Sequence, residues 1–252
     1  MSSTASARTQ VAVIQITIAA AVTAFLFVAH ELYPFLPSPL AVLHAALDLA
    51  GQKDFYRHFG VTLYESLSGL VIATALGLGI GVLAGANRTA TEFVTPIVLA
   101  LYSIPKIILL PILLMIFGAG LPPKIANAAL HAFFPVLLNS LVGMREINRI
   151  HLKVARSMLA SPAQIISKVY LPSLVLPVFA GIKLGLGLAI MGALLAELFE
   201  ANAGVGYFIM QFYNKAQIAE MIAIALALFF LIVAINAAMA RTEDHLSRWR
   251  RR

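Results

Sequence analysis

The chain contains no cysteine. That excludes a disulfide framework, a thiolate metal site and a cysteine nucleophile. Charge is also scarce. Only 12% of the 252 residues are Asp, Glu, Lys or Arg, about half the share of a soluble domain. Acids are the scarcer sign, 11 against 18 Lys and Arg. The six histidines (His30, His44, His58, His131, His151 and His245) are scattered and form no pair at helical spacing. No metal site is therefore expected. The phosphate-cradling G-x-x-x-x-G-K-[ST] pattern is missing, because the glycine-rich run at 77–85 lies in an apolar stretch without lysine. No cofactor is expected, nor any nucleotide on this chain. Serine–histidine and paired-carboxylate arrangements are absent from the apolar runs, so no enzyme chemistry is expected. The cations sit in a few loops between apolar runs, which argues against a nucleic-acid surface.

What is abundant is apolar surface, 61% of all residues. The expectation is an all-α polytopic membrane protein with about six transmembrane helices. The spans fall at about Val11–Ala29, Val61–Ala86, Phe93–Phe117, Ile125–Met144, Leu174–Phe199 and Ala219–Ala240. Residues 1–54 then comprise a polar tail, the first span and an interfacial linker. Residues 55–240 form the main transmembrane domain, and 241–252 a basic tail. Proposed inner segments carry Arg8, Arg88, Arg145, Arg149, Lys153, Arg156, Lys168, Arg241, Arg248, Arg250, Arg251 and Arg252. Outer segments carry only Lys53, Arg57, Lys124 and Lys215. This asymmetry places both termini in the cytoplasm.

Within the spans a few residues stand out. Gly77, Gly81 and Gly85 repeat every fourth residue, a spacing that lets helices approach backbone to backbone. Gly181 and Gly185 do the same in the fifth span. Pro105 and Pro111 interrupt the third span and deprive the carbonyls of Leu101 and Ile107 of their usual donors. Lys106 lies between these prolines. An intramembrane ionisable group marks a candidate pathway, and the same applies to Lys183 and Glu197, about 21 Å apart along the fifth helix.

Arg145 to Pro172 is the longest polar insert. It holds Arg145, Arg149, Lys153, Arg156 and Lys168 against a single acid, Glu146. Five such cations at the bilayer centre would cost roughly 12–17 kcal/mol, so the segment does not span. Ile147, Ile150, Val154, Ala155, Met158 and Leu159 recur at helical spacing. Ser161-Pro162 breaks the run and starts a second short helix with Ile165, Ile166 and Val169, expected to stop at Pro172. An amphipathic hairpin in an overlong loop suits either a protein docking surface or a lipid headgroup layer.

This hairpin resembles the EAA loop of bacterial ABC-transporter permeases, the binding-protein-dependent inner-membrane components. That pattern is Glu-Ala-Ala, three residues, Gly, nine residues, a hydrophobic residue, one residue, then Leu-Pro. Lys153-Val154-Ala155 holds the first place, Leu159 the glycine place, and Val169-Tyr170-Leu171-Pro172 the end. Ala155, Val169, Leu171 and Pro172 match the pattern, and the two departures that matter are Lys153 and Leu159. L-P-S-P-L-A-V-L (36–43), S-I-P-K-I-I-L-L-P-I-L-L-M-I-F-G (103–118), F-F-P-V-L-L-N-S-L-V-G (133–143), L-L-A-E-L-F (194–199) and G-V-G-Y-F-I (204–209) are similar to the nitrate/sulfonate/taurine-type subgroup. The resemblance implies the type I importer (MetI-like) permease fold in a bacterial inner membrane. Its implied partners are a dimer of cytoplasmic ABC ATPases, which alone bind ATP, a second permease copy as a homodimer, and a periplasmic solute-binding protein. It implies an ATPase-coupling role for Lys153, Val154, Ala155, Arg156, Leu159, Ala160, Ser161, Val169, Leu171 and Pro172. The implied solute is a small organic anion, such as a sulfonate, taurine or nitrate, or a vitamin precursor. The alternative reading is an ion-coupled secondary transporter working alone.

Overall fold

The computed structural model describes residues 31, 33, 36–199 and 202–248. The expected first span, Val11–Ala29, lies outside them. Every regular element among the described residues is a helix. Four of these helices are long and apolar enough to cross a membrane, and there are five if the bent pair Arg88–Tyr102 and Lys106–Phe117 counts as one span. Chain packing divides the protein into two compact units, residues 57–208 with 230–252, and residues 1–56 with 209–229.

Ser38 and Pro39 begin α1 (Pro39–Ala50), with the Ser38 hydroxyl accepting from the Ala41 N–H at 3.2 Å. The next helix, α2 (Lys53–Gly85), starts eight residues earlier than apolarity alone indicates. Lys53 to Phe59 contains neither proline nor glycine, so the span simply continues outward. At 33 residues it is about 50 Å long, well beyond a 30 Å hydrocarbon core.

The third span breaks as its prolines demand. Helix α3 (Arg88–Tyr102) starts at Asn87, whose side chain accepts from the Thr89 and Ala90 N–H groups. A 3-10 turn over Lys106–Leu109 then leads into α4 (Leu110–Phe117). The two arms meet at 82°. Neither threatened carbonyl is bare. That of Leu101 accepts from the Ile104 N–H at 3.3 Å, and that of Ile107 from the Leu110 N–H. Tightening into i→i+3 bonds is the standard repair at a helix end.

Helix α5 (Leu121–Arg145) is the most enclosed spanning helix. It leads into α6 (Arg149–Ser157) and α7 (Pro162–Ile165). A π-helical turn, Ile166–Tyr170, joins α7 to α8 (Leu171–Phe199). Pro172 therefore does not stop the second hairpin helix. The widened turn, in which the Leu171 N–H reaches back to the Ile166 carbonyl, gives the proline ring room that a regular α-turn would deny it. The outcome is one helical run from Pro162 to Phe199. Beyond it lie α9 (Val205–Asn214) and α10 (Ile218–Arg248), the last continuing through most of the basic tail.

Helices α2 and α8 grip α5 through glycine. A Cβ on Gly77 would stand 3.0 Å from the Leu137 amide nitrogen; on Gly81, 2.4 Å from Ser140 Cβ; on Gly85, 2.5 Å from Met144 Cβ. From α8, a Cβ on Gly181 would meet Asn139 Cβ at 3.0 Å, and on Gly185 the Ala132 carbonyl at 3.3 Å. Lipid tails are as apolar as leucine, so helix association there depends on close van der Waals approach. On α5's flank towards α3, Val98, Phe134, Leu137 and Leu141 form a buried cluster.

Gly79 faces open space while Gly81, one turn-half away, does not. Gly81→Ala is expected to destabilise the protein by about 1–3 kcal/mol through overpacking. Gly79→Ala should leave the thermal midpoint in detergent unchanged or slightly raise it. Equal midpoints for the two variants would contradict the glycine-mediated contact.

Candidate functional site

Two constructions stand out, one at each end of α5. Lys124 and Arg145 are separated by about 30 Å along the helix, close to a bilayer's hydrocarbon thickness.

At the Arg145 end lies the hairpin. Asn148 caps α6, its side-chain oxygen accepting from the Ile150 N–H at 2.9 Å. The helix closes in a full Schellman turn, with the Ala160 N–H on the Ala155 carbonyl and the Leu159 N–H on the Arg156 carbonyl, both at 3.0 Å. Leu159 occupies the left-handed position of this turn at φ 56°. Glycine takes that conformation freely, whereas a leucine pays about 1–2 kcal/mol. The carbonyl-to-amide bond across the turn brings Ala155 and Ala160 together, where small side chains suit the closure. Ser161 then starts α7 with a reciprocal capping box: its hydroxyl accepts from the Gln164 N–H at 3.3 Å and its N–H donates to the Gln164 side chain at 2.8 Å.

One face of this hairpin is attached to the bundle. Leu152, Val169 and Tyr170 pack against buried Met144, Ile147 and Leu174, and Val82 of α2 and Val178 of α8 join the same cluster. The other face is open. Ile150, Val154, Met158, Leu159 and Ile166 are exposed, Met158 at 77% and Leu159 at 91%. Lys153, Arg156 and Lys168 of the same hairpin are also exposed. An exposed apolar stripe on a basic hairpin suits either a protein docking face or a lipid headgroup layer.

At the Lys124 end a polar knot joins three helices. Glu65 on α2 is 0% exposed, Lys124 on α5 4%, and Glu197 on α8 1%. The Lys124 ammonium lies 3.3 Å from the Glu65 carboxylate and 3.4 Å from the Ala203 carbonyl. The Glu197 carboxylate neighbours Glu65. It also accepts from the Thr62 hydroxyl and from the Gly206 N–H, both at 2.7 Å. Thr62 Oγ1 in turn accepts from the Val205 N–H at 2.8 Å, and His58 Nδ1 accepts from the Gly204 N–H at 3.0 Å. The Phe208 ring stacks on His58. Gly204 has φ 113°, and a Cβ there would collide with the Glu197 carboxylate at 2.1 Å. Only glycine fits. The knot holds the start of α9 against the ends of α2 and α8.

The three expected pathway residues are not brought together. Glu197 is sealed in the knot. Lys183 pairs with Glu243 of α10 at 3.0 Å, with both side chains partly exposed. Lys106 occupies the break in the third span. Its ammonium donates to the Tyr102 carbonyl at 2.9 Å and lies over the Tyr102 and Phe134 rings, at 4.5 and 5.0 Å from their centroids. Glu65, Thr62, His58 and Gly204 escaped the sequence reading. An acid five residues into an apolar span was the available signal for Glu65. Its partner, 59 positions away and counted among loop cations, had none.

Removing one member of a buried charge pair costs about 3–5 kcal/mol, whereas replacing both is often near neutral. Lys124→Met should therefore lower the thermal midpoint sharply, since two carboxylates lose their cation. Glu65→Gln combined with Lys124→Met should recover most of the loss. Additive losses in this cycle would contradict the pairing.

The profile of the binding-protein-dependent transport system inner membrane component family matches residues 77–252. A Bacillus subtilis protein named as an aliphatic sulfonates transport permease protein, SsuC, is 31% identical over 85% of this chain and 78% of its own length. The Escherichia coli taurine transport system permease protein TauC is 28% identical over 82% of this chain and 78% of its own. Among solved structures, a chain of the MetNI methionine ABC transporter in an inward-facing conformation superposes with a TM-score of 0.68, at 24% identity, over 77% of this chain and 96% of that one. The profile match over most of the chain and these relatives lead to one conclusion: the chain belongs to the binding-protein-dependent family of ABC-importer inner-membrane permeases.

Proposed function

We propose that this permease forms half of the translocation pathway of an ATP-driven importer. Two ATPase subunits grip the hairpins of two copies, and an external binding protein delivers the solute. The observation that carries this reading is the hairpin itself. One face is packed into the bundle through Met144, Ile147 and Leu174, and the other presents Ile150, Val154 and Met158 to the surroundings. ATP binds and is hydrolysed on the partner; this chain supplies no nucleotide site and no catalysis. The basic hairpin and the basic C-terminal end lie in the cytoplasm of a bacterial cell, both termini inside.

The solute is a small anion or a vitamin precursor. Relatives are named for sulfonates, taurine and nitrate, and one for formylaminopyrimidine. Lys106 suits an anion's passage, being a cation at a helix break with aromatic faces beside it. Lys183 and Glu197 serve the pathway by holding its walls.

The test is uptake in proteoliposomes holding this chain, its cognate ATPase and its binding protein, with taurine, alkanesulfonates and nitrate as probes. Uptake should require ATP and cease without the ATPase. Ala160→Glu, which crowds the hairpin turn, should reduce uptake to background while membrane insertion persists. Lys106→Gln should slow anion uptake about tenfold, the worth of one charge-assisted contact. Uptake driven by an ion gradient without the ATPase would support a stand-alone secondary transporter instead.

A further inference from the structure

We infer that Leu159 is the partner-selecting residue of the hairpin, an apolar knob that the ATPase subunit receives in a matching socket. The inference rests on the docking reading above and goes beyond it by naming one contact and its consequence. Two features of the free chain are each unfavourable. The Leu159 backbone sits at φ 56°, the left-handed position of the Schellman turn that ends α6. Its side chain is 91% exposed. Glycine would remove both penalties, and glycine is what the resembled loop pattern has at this place. Leucine is costly here unless something covers it.

The occupant must match what surrounds the knob. Met158, Val154 and Ile150 extend the apolar surface along α6, and Lys153, Arg156 and Lys168 are the exposed cations of the same hairpin. Glu146 is the only acid between residues 145 and 172. The complementary surface is therefore a groove with an apolar floor, an acidic rim and a socket wide enough for a leucine at its end. The ATPase subunit of this importer carries that groove. An ATPase whose groove is shaped for a glycine turn would meet Leu159 as a steric obstacle, so the knob discriminates between partners as well as binding one.

The experiment compares wild-type permease with Leu159→Gly, Leu159→Asn and Leu159→Met in nanodiscs. Affinity for the cognate ATPase subunit and the thermal midpoint of the permease alone are both measured. Asparagine tolerates the left-handed backbone but removes the apolar side chain, and methionine keeps the apolar side chain. The inference expects Leu159→Gly and Leu159→Asn to raise or preserve the midpoint and to weaken ATPase binding about tenfold or more, as losing the burial of a leucine does. Leu159→Met should stay within about twofold of wild type. ATPase affinity unchanged or improved in Leu159→Gly would overturn the knob while leaving docking intact. Failure of the wild-type chain itself to bind the ATPase would overturn the docking reading. A fluorophore on Ser157→Cys, which keeps Leu159, that is quenched from lipid with no response to added ATPase would assign the tip to the bilayer and also overturn the inference.

Discussion

Helix α5 can be held from two sides because glycine lets α2 and α8 reach its backbone. In lipid there is no hydrophobic gain from pressing one helix on another, so contact distance decides. Gly77, Gly81 and Gly85 on one flank and Gly181 and Gly185 on the other give α5 neighbours within van der Waals range along most of its length. The remaining features depend on that contact. The Glu65–Lys124–Glu197 knot can form at one end only if the three helices already lie close. The Met144–Ile147–Leu174 cluster can seat the hairpin at the other end only on the same condition.

A block built this way is stiff where a transporter needs stiffness. The second arm of the hairpin does not hang from a flexible joint. It begins the same helical run that continues as α8 to Phe199, with a π-turn making room for Pro172. A displacement applied to α7 is therefore carried along α8 and, through the glycine contacts, to α5 and α2. At the far end the same helices hold the Gly204–Gly206 segment through Glu197, Thr62 and His58. Rigid-body movement of packed elements is the usual way that a local push becomes a change of access. Two sites about 30 Å apart are joined here by continuous helix rather than by a chain of loose contacts.

Much of this was legible in the sequence, wherever the signal was local. The glycine spacing, the basic hairpin with its Ser161-Pro162 break, and the broken third span all express themselves within a few residues. What stayed hidden required long-range pairing. Nothing near Lys124 distinguishes it from an ordinary loop cation, and nothing near Lys183 points to Glu243, 60 residues on. Pro172 misled for a different reason. Proline stops a helix built of α-turns, and the sequence does not announce that Ile166–Tyr170 will widen to accommodate it. Leu159 was visible as a departure from a pattern, but its left-handed backbone and exposure are properties of the folded turn.

The central claim is that the hairpin is a handle held by a separate motor on the cytoplasmic side. Since the chain has no cysteine, Ser157→Cys places a single thiol on the open face of α6 with almost no change in shape. Cross-linking from that thiol in intact cells should capture a nucleotide-hydrolysing subunit, in a yield that changes with ATP, and the thiol should resist membrane-impermeant reagents added outside. A thiol that those reagents label from outside, with no hydrolase captured, would contradict the account.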